Sequence, residues 1–176
     1  MRVVRALILA ASMAFLCIAQ VSQPWAWSPF DLPLLLAIFA GLQRGRGAGL
    51  LLGAFGGILL DAWASPAFGL RTASLALAGA LADLLEPAVK GERPTLQAPA
   101  AAGITLLHDL FLAGAARHLA LSQGGLPRFV ASYLLPRFLA QGLLAIPVFF
   151  AFRALVSQRV FLNPFGQKPK MLRRWS

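Results

Sequence analysis

Apolar residues occupy six long runs separated by short polar segments, and this alternation is the main pattern of the sequence. The runs lack strand-like alternation of polar and apolar positions, and most approach the about 20 residues with which a helix crosses hydrocarbon. The pattern predicts an all-α, polytopic membrane protein. The predicted spans cover 6–21, 30–42, 47–64, 72–89, 96–116 and 129–156. We expect 1–156 to form a single transmembrane helical domain and 157–176 a basic cytoplasmic tail.

The second span is short and carries Pro33 near its start. It either crosses with little tilt in a thinned region of the bilayer or forms a re-entrant segment. Removing it from the count would invert every later span and place the basic tail outside, against the positive-inside rule. We therefore expect six transmembrane helices with both termini in the cytoplasm.

Composition excludes an ordinary soluble domain, because 59% of the 176 residues are hydrophobic, 12% are charged and the mean hydropathy is +0.72. The net charge of +10 comes from 16 Lys and Arg residues against 6 Asp and Glu residues. These bases lie between apolar runs, so they indicate topology and no nucleic-acid partner. Twelve bases would be cytoplasmic, and the others would lie outside or in the outer half: Arg71, Arg117, Arg128 and Arg137.

The two ends of the chain each allow two interpretations. Arg2 and Arg5 before an apolar run resemble a signal peptide, but no clear small-x-small cleavage site precedes Gln20, which favours a first span. The tail contains five bases and no acids, so it either binds anionic lipid headgroups or only fixes the topology. Trp25 and Trp27 are expected to anchor the chain at the membrane interface.

A glycine stripe precedes an acidic residue in the third span. Gly45, Gly49, Gly53 and Gly57 follow one another at steps of four, and Asp61 continues the register. Bare glycine faces allow a neighbouring helix to approach closely. The stripe therefore meets either another helix of this chain, which is the more common arrangement, or a helix of a partner protein.

Charged residues in the outer half of the predicted bundle are the strongest candidates for a site. A carboxylate within a span is unfavourable unless it is paired, hydrated or protonated, so it suggests function by default. We predict that Asp61 pairs with Arg71 and that Asp109 pairs with Arg137, which would join spans three to six. The alternative is that these four side chains line a ligand pocket. Asp83 and Glu86 are expected to mark a solvated helix end.

Nothing in the sequence indicates an enzyme. His108 and Asp109 are adjacent, so on a helix their side chains point about 100° apart, which is unfavourable for binding one metal ion. The chain contains one cysteine, Cys17, and has neither a nucleophile elbow nor a phosphate-binding glycine loop. We expect no catalytic residues, no cofactor and no metal site.

One stretch resembles a known family. Gly57-Ile-Leu-Leu-Asp61, then Ser65-Pro66, then Gly69-Leu70-Arg71 before an apolar helix, is similar to the signature of the bacterial rod shape-determining protein MreD. The segment around Asp109, Leu-His-Asp-Leu-Phe, resembles the acidic position in that family's fifth span. Small size, five or six spans and a basic C-terminus are also typical of the family.

The resemblance implies a fold similar to the substrate-binding components of energy-coupling-factor transporters. It implies a non-enzymatic scaffold of the lateral wall-elongation machinery in the bacterial cytoplasmic membrane, which supports peptidoglycan synthesis and rod shape. The implied partners are MreC, a single-span protein with a periplasmic coil, together with MreB and the wall glycosyltransferase and transpeptidase pair. Gly57, Asp61, Gly69, Arg71 and Asp109 would shape the fold first and the partner surface second. The alternative function is a small-solute binding or transport component.

Overall fold

The described part of the chain is helical throughout its regular elements. A computed structural model describes residues 2–22, 30–45, 47–64, 68–89, 94–118 and 134–156. The helices are α1 (Arg2–Ser22), α2 (Leu32–Arg44), α3 (Ala48–Ala64), α4 (Leu70–Val89), α5 (Pro94–His118) and α6 (Leu135–Val156). Each predicted span thus corresponds to one helix.

Three of these helices are long and apolar enough to cross a membrane, and the other three are apolar but shorter. The long segments are Leu70–Val89, Thr95–Ala115 and Leu135–Ala154. The shorter ones are Ala6–Ser22, Leu32–Arg44 and Ala48–Trp63. By length and composition, the protein therefore has the character of a membrane protein.

Helix boundaries differ from the predicted spans in ways that proline and glycine explain. Helix α1 begins at Arg2, because the residues before the apolar run include neither Gly nor Pro. Pro94 starts α5, where its missing N–H is not needed. Pro87 lies inside α4, near its end. The predicted tail 157–176, the tryptophans within 23–29, the turn 65–67 and the start of the sixth span at 129–133 lie outside the described residues.

The short helix α2 forms the centre of the bundle. Its residues 33–42 are all buried, and it contacts each of the other five helices. A helix that is apolar on all faces requires such an enclosed position. At 13 residues it is about 20 Å long, which is less than the hydrocarbon thickness of about 30 Å. Its neighbours enclose most of its length.

Contacts between helix ends show that successive helices alternate in direction. Gln20 near the end of α1 donates a hydrogen bond to the carbonyl of Phe30, just before α2 (3.0 Å). At the other end of α2, Gln43 donates to Gln97 in the first turn of α5 (3.0 Å). We call the two sides of the bundle the Asp31 end, where α2, α4 and α6 begin, and the Asp83 end, where α1, α3 and α5 begin.

The glycine stripe of α3 packs against α4 of the same chain. A Cβ atom on Gly53 or Gly57 would overlap the backbone of Leu75 or Thr72 respectively, so the two helices approach as closely as bare backbone permits. Gly45 does not belong to this stripe, contrary to prediction. It ends α2 with φ +54°, and its N–H donates to the Gly41 carbonyl (2.8 Å), which favours glycine there.

Three glycines meet where α2, α3 and α4 cross. A Cβ atom on Gly41 would lie 2.6 Å from the Ala82 Cβ, and one on Gly49 would lie 2.9 Å from the Gly41 Cα. A Cβ atom on Gly79 would overlap the Gly49 carbonyl and lie 2.9 Å from the Leu50 nitrogen. The spacing of the stripe alone did not identify Gly41 and Gly79 as its partners.

We predict that Gly79→Ala destabilises the bundle by about 1–3 kcal/mol, because backbone on α3 would have to move. Gly103→Ala is the matched control, since a Cβ atom there would meet nothing within 4 Å and alanine favours helix. Thermal unfolding in mild detergent, followed by circular dichroism, measures both. Equal unfolding temperatures for the two variants would contradict the close packing described here.

Candidate functional site

The carboxylate of Asp61, at the end of α3, caps the beginning of α4. Its Oδ2 accepts hydrogen bonds from the backbone N–H groups of Gly69 (2.9 Å) and Thr72 (2.9 Å) and from the Thr72 hydroxyl (2.7 Å). Its Oδ1 accepts from the backbone N–H of Arg71 (3.2 Å). The first turn of a helix has N–H groups without intrahelical partners, and these attract a carboxylate. Asp61 therefore serves as a capping residue supplied by the neighbouring helix.

The predicted ion pair between Asp61 and Arg71 is wrong. In the described structure Asp61 contacts Arg71 through the backbone N–H, and no ion pair links its carboxylate to a guanidinium. Gly69, with φ +94°, adopts the left-handed conformation in the turn before α4. The N–H groups at the start of α4 consequently face the carboxylate of Asp61.

Asp83 makes the reciprocal connection at the Asp83 end of the bundle. It lies near the end of α4, and its two carboxylate oxygens accept from the backbone N–H groups of Gly49 (3.1 Å) and Leu50 (3.2 Å), at the start of α3. The two antiparallel helices thus cap each other, because a carboxylate near the end of each binds N–H groups at the start of the other. The prediction of Asp83 as part of a merely solvated helix end is corrected by this contact.

A second group of polar residues is buried at the Asp31 end, and we call it the Arg137 cluster: Asp31, His108, Asp109, Arg137 and Gln141. The predicted pair is present, with Arg137 Nε 3.1 Å from Asp109 Oδ2. The guanidinium also donates through Nη2 to Asp31 Oδ2 (3.2 Å). One arginine on α6 therefore joins two carboxylates, from α5 and from the start of α2.

Sequence reasoning did not identify Asp31. Its Oδ1 accepts from the backbone N–H of Leu34 (3.1 Å), and its backbone carbonyl accepts from the Gln141 amide (3.2 Å). An aspartate two residues before Pro33 is a typical N-cap pattern, because proline suits the first helical turn. That signal, together with the buried position of a helix start, could have located it.

His108 is the least satisfied member of the Arg137 cluster. Its ring is 4% exposed, and both ring nitrogens lack a hydrogen-bond partner among the described residues, as does the Gln141 Oε1. A small polar molecule or water could hydrogen-bond these atoms. In the described part of the chain, no group of three or more His, Cys, Asp or Glu side chains is arranged to hold a metal ion.

The predicted site residues form two separate joints at the same end of the bundle. Gly57, Asp61, Gly69 and Arg71 come together where α3 meets α4, and Asp109 and Arg137 meet beside α2. Each joint uses its carboxylates to bind backbone N–H groups or a guanidinium. The carboxylates in both joints connect helices. Among the described residues, His108 and Gln141 have buried polar atoms without a hydrogen-bond partner.

No protein-family model, curated protein or solved structure matches the chain. The resemblance to MreD remains a prediction from the residues quoted above.

We predict that Asp61→Ala lowers stability by about 2 kcal/mol, because partly buried N–H groups at the start of α4 lose their acceptor. Arg71→Gln keeps the backbone N–H that Asp61 binds, so its effect should stay within about 0.5 kcal/mol. Unfolding of both variants in detergent provides the comparison. Equal losses would instead favour an ion pair between the two side chains.

Proposed function

We propose that the chain crosses the bacterial cytoplasmic membrane six times, with both termini in the cytoplasm, and acts as a non-enzymatic scaffold of the wall-elongation machinery. Its principal partner would be the transmembrane helix of an MreC-like protein. The glycosyltransferase and transpeptidase pair and MreB would be further members of the same assembly. The role is support of lateral peptidoglycan synthesis and rod shape.

Charge supports this topology. Twelve of the 16 bases lie at or beyond the helix termini of the Asp83 end in sequence, including Arg44 and Arg153. Four belong to the Asp31 end. An excess of Lys and Arg is typical of the cytoplasmic side of a membrane protein, which supports a cytoplasmic position for the Asp83 end. The shortness of α2 is compatible with a crossing, because its neighbours shield it from lipid.

The observation that carries the scaffold proposal is that the residues of the MreD-like motif build a helix joint. Gly57 packs on Thr72, while Asp61 binds the N–H groups around Gly69 and Arg71. The outward helix faces present large apolar side chains, such as Leu84 and Leu143, which are 76% and 74% exposed. Such faces suit contact with lipid or with partner helices.

A second candidate function is a small-solute binding or transport component. It is favoured by buried polar atoms of His108 and Gln141 that have no hydrogen-bond partner among the described residues, beside Arg137 and two carboxylates. Ionisable residues within a span often mark a substrate or ion pathway. In this candidate the Arg137 cluster would hold the solute.

Affinity purification of the tagged chain from native membranes in mild detergent distinguishes the two candidates. We predict recovery of a single-span protein with a periplasmic coiled coil, identified by mass spectrometry. An unrelated multi-pass protein of the same membrane, tagged and expressed equally, is the control. Recovery with a coupling membrane protein and paired ATPases would contradict the scaffold and support transport.

A further inference from the structure

A groove opens between α1, α2 and α3 in the half of the bundle nearest the Asp83 end. Its volume is about 320 Å³, and alanines from all three helices line it, including Ala10, Ala40 and Ala48. Leu51 and Phe55 also line it and are 71% and 40% exposed, so the groove opens to the outside of the bundle. Within the proposed topology, that outside is the inner leaflet of the bilayer.

The lining of the groove suits a hydrocarbon chain, because eight of its nine residues are apolar and four of these are alanines. A polymethylene chain, whose carbons contact their neighbours at about 3.5–4.0 Å, fits between small alanine side chains.

One charged residue, Arg44, lines the otherwise apolar groove. It lies in the last turn of α2, at the Asp83 end, where the bases of the chain concentrate. A guanidinium carries five N–H donors, so it can bind a phosphate while keeping another contact. Of the acids at this end, Asp83 is engaged with the start of α3, and the Glu86 carboxylate lies against Gly45, next to Arg44. The groove thus combines an apolar channel with a guanidinium at its polar end.

We propose that this groove binds one acyl chain of an anionic phospholipid whose headgroup phosphate is held by Arg44. Neutral apolar lining accommodates the chain, and the positive charge selects the headgroup, because arginine binds phosphate through two parallel hydrogen bonds. This lipid site is separate from the Arg137 cluster and from the proposed scaffold function, and it requires only that the chain lies in a membrane.

The test uses the full chain reconstituted in vesicles of phosphatidylglycerol and phosphatidylcholine in equal parts. After extraction in mild detergent, mass spectrometry quantifies each lipid that remains with the protein. We expect enrichment of phosphatidylglycerol, and a reduction of about fivefold in its retention for Arg44→Gln, from the typical attraction of one base for anionic lipid. Arg153→Gln, which removes a base from the same end on α6, should leave retention nearly unchanged.

A second variant tests the groove apart from the charge. Ala10→Phe fills the groove and keeps Arg44, so phosphatidylglycerol retention should fall again. Equal retention of the two lipids by the unmodified chain would overturn the proposal. Equal losses in the Arg44 and Arg153 variants would show attraction to surface charge alone and would also overturn it. Full retention by Ala10→Phe would exclude the groove as the binding place.

Discussion

Asp61 on α3 binds the start of α4, and Asp83 on α4 binds the start of α3. The rest of the bundle is arranged around these two capping interactions. The N–H groups of a first helical turn have no partner within their own helix, and at each of these two ends a carboxylate of the neighbouring helix supplies the acceptor. An antiparallel pair can provide two such partners, one at each end. Glycines between the two ends then allow the helices to approach closely along their length.

The same constraint explains the position of α2. Because this helix is short and apolar on all sides, it is enclosed by its neighbours, and its first turn needs a cap inside the protein. Asp31 provides that cap and also contacts Arg137, which holds Asp109 in turn. The guanidinium and two carboxylates thereby link α2, α5 and α6. The buried polar residues contribute mainly to helix connection, and within the described residues the ring nitrogens of His108 have no hydrogen-bond partner.

The sequence was sufficient to predict six helices, because long apolar runs separated by charged segments have few other solutions. It also predicted the contact of Asp109 with Arg137, although the same reasoning from opposite charges at matching depth failed for Asp61 and Arg71. It could not predict the partners of Asp61. Every residue except proline has a backbone N–H group, so residue types do not show which of these groups will face a carboxylate. Gly45 was misassigned for a related reason: a fixed spacing does not reveal where one helix ends and the next begins.

We propose that this bundle crosses the membrane six times with the Asp83 end in the cytoplasm. The most direct test replaces Cys17 by alanine and adds single cysteines in three segments between helices, at Ser28, Gly91 and Gln123, and at the C-terminal Ser176. A membrane-impermeant maleimide is then applied to spheroplasts before and after lysis. With this topology we expect the cysteines at positions 28 and 123 to be labelled in intact spheroplasts, and those at positions 91 and 176 only after lysis. Labelling of Gly91→Cys in intact spheroplasts would contradict it.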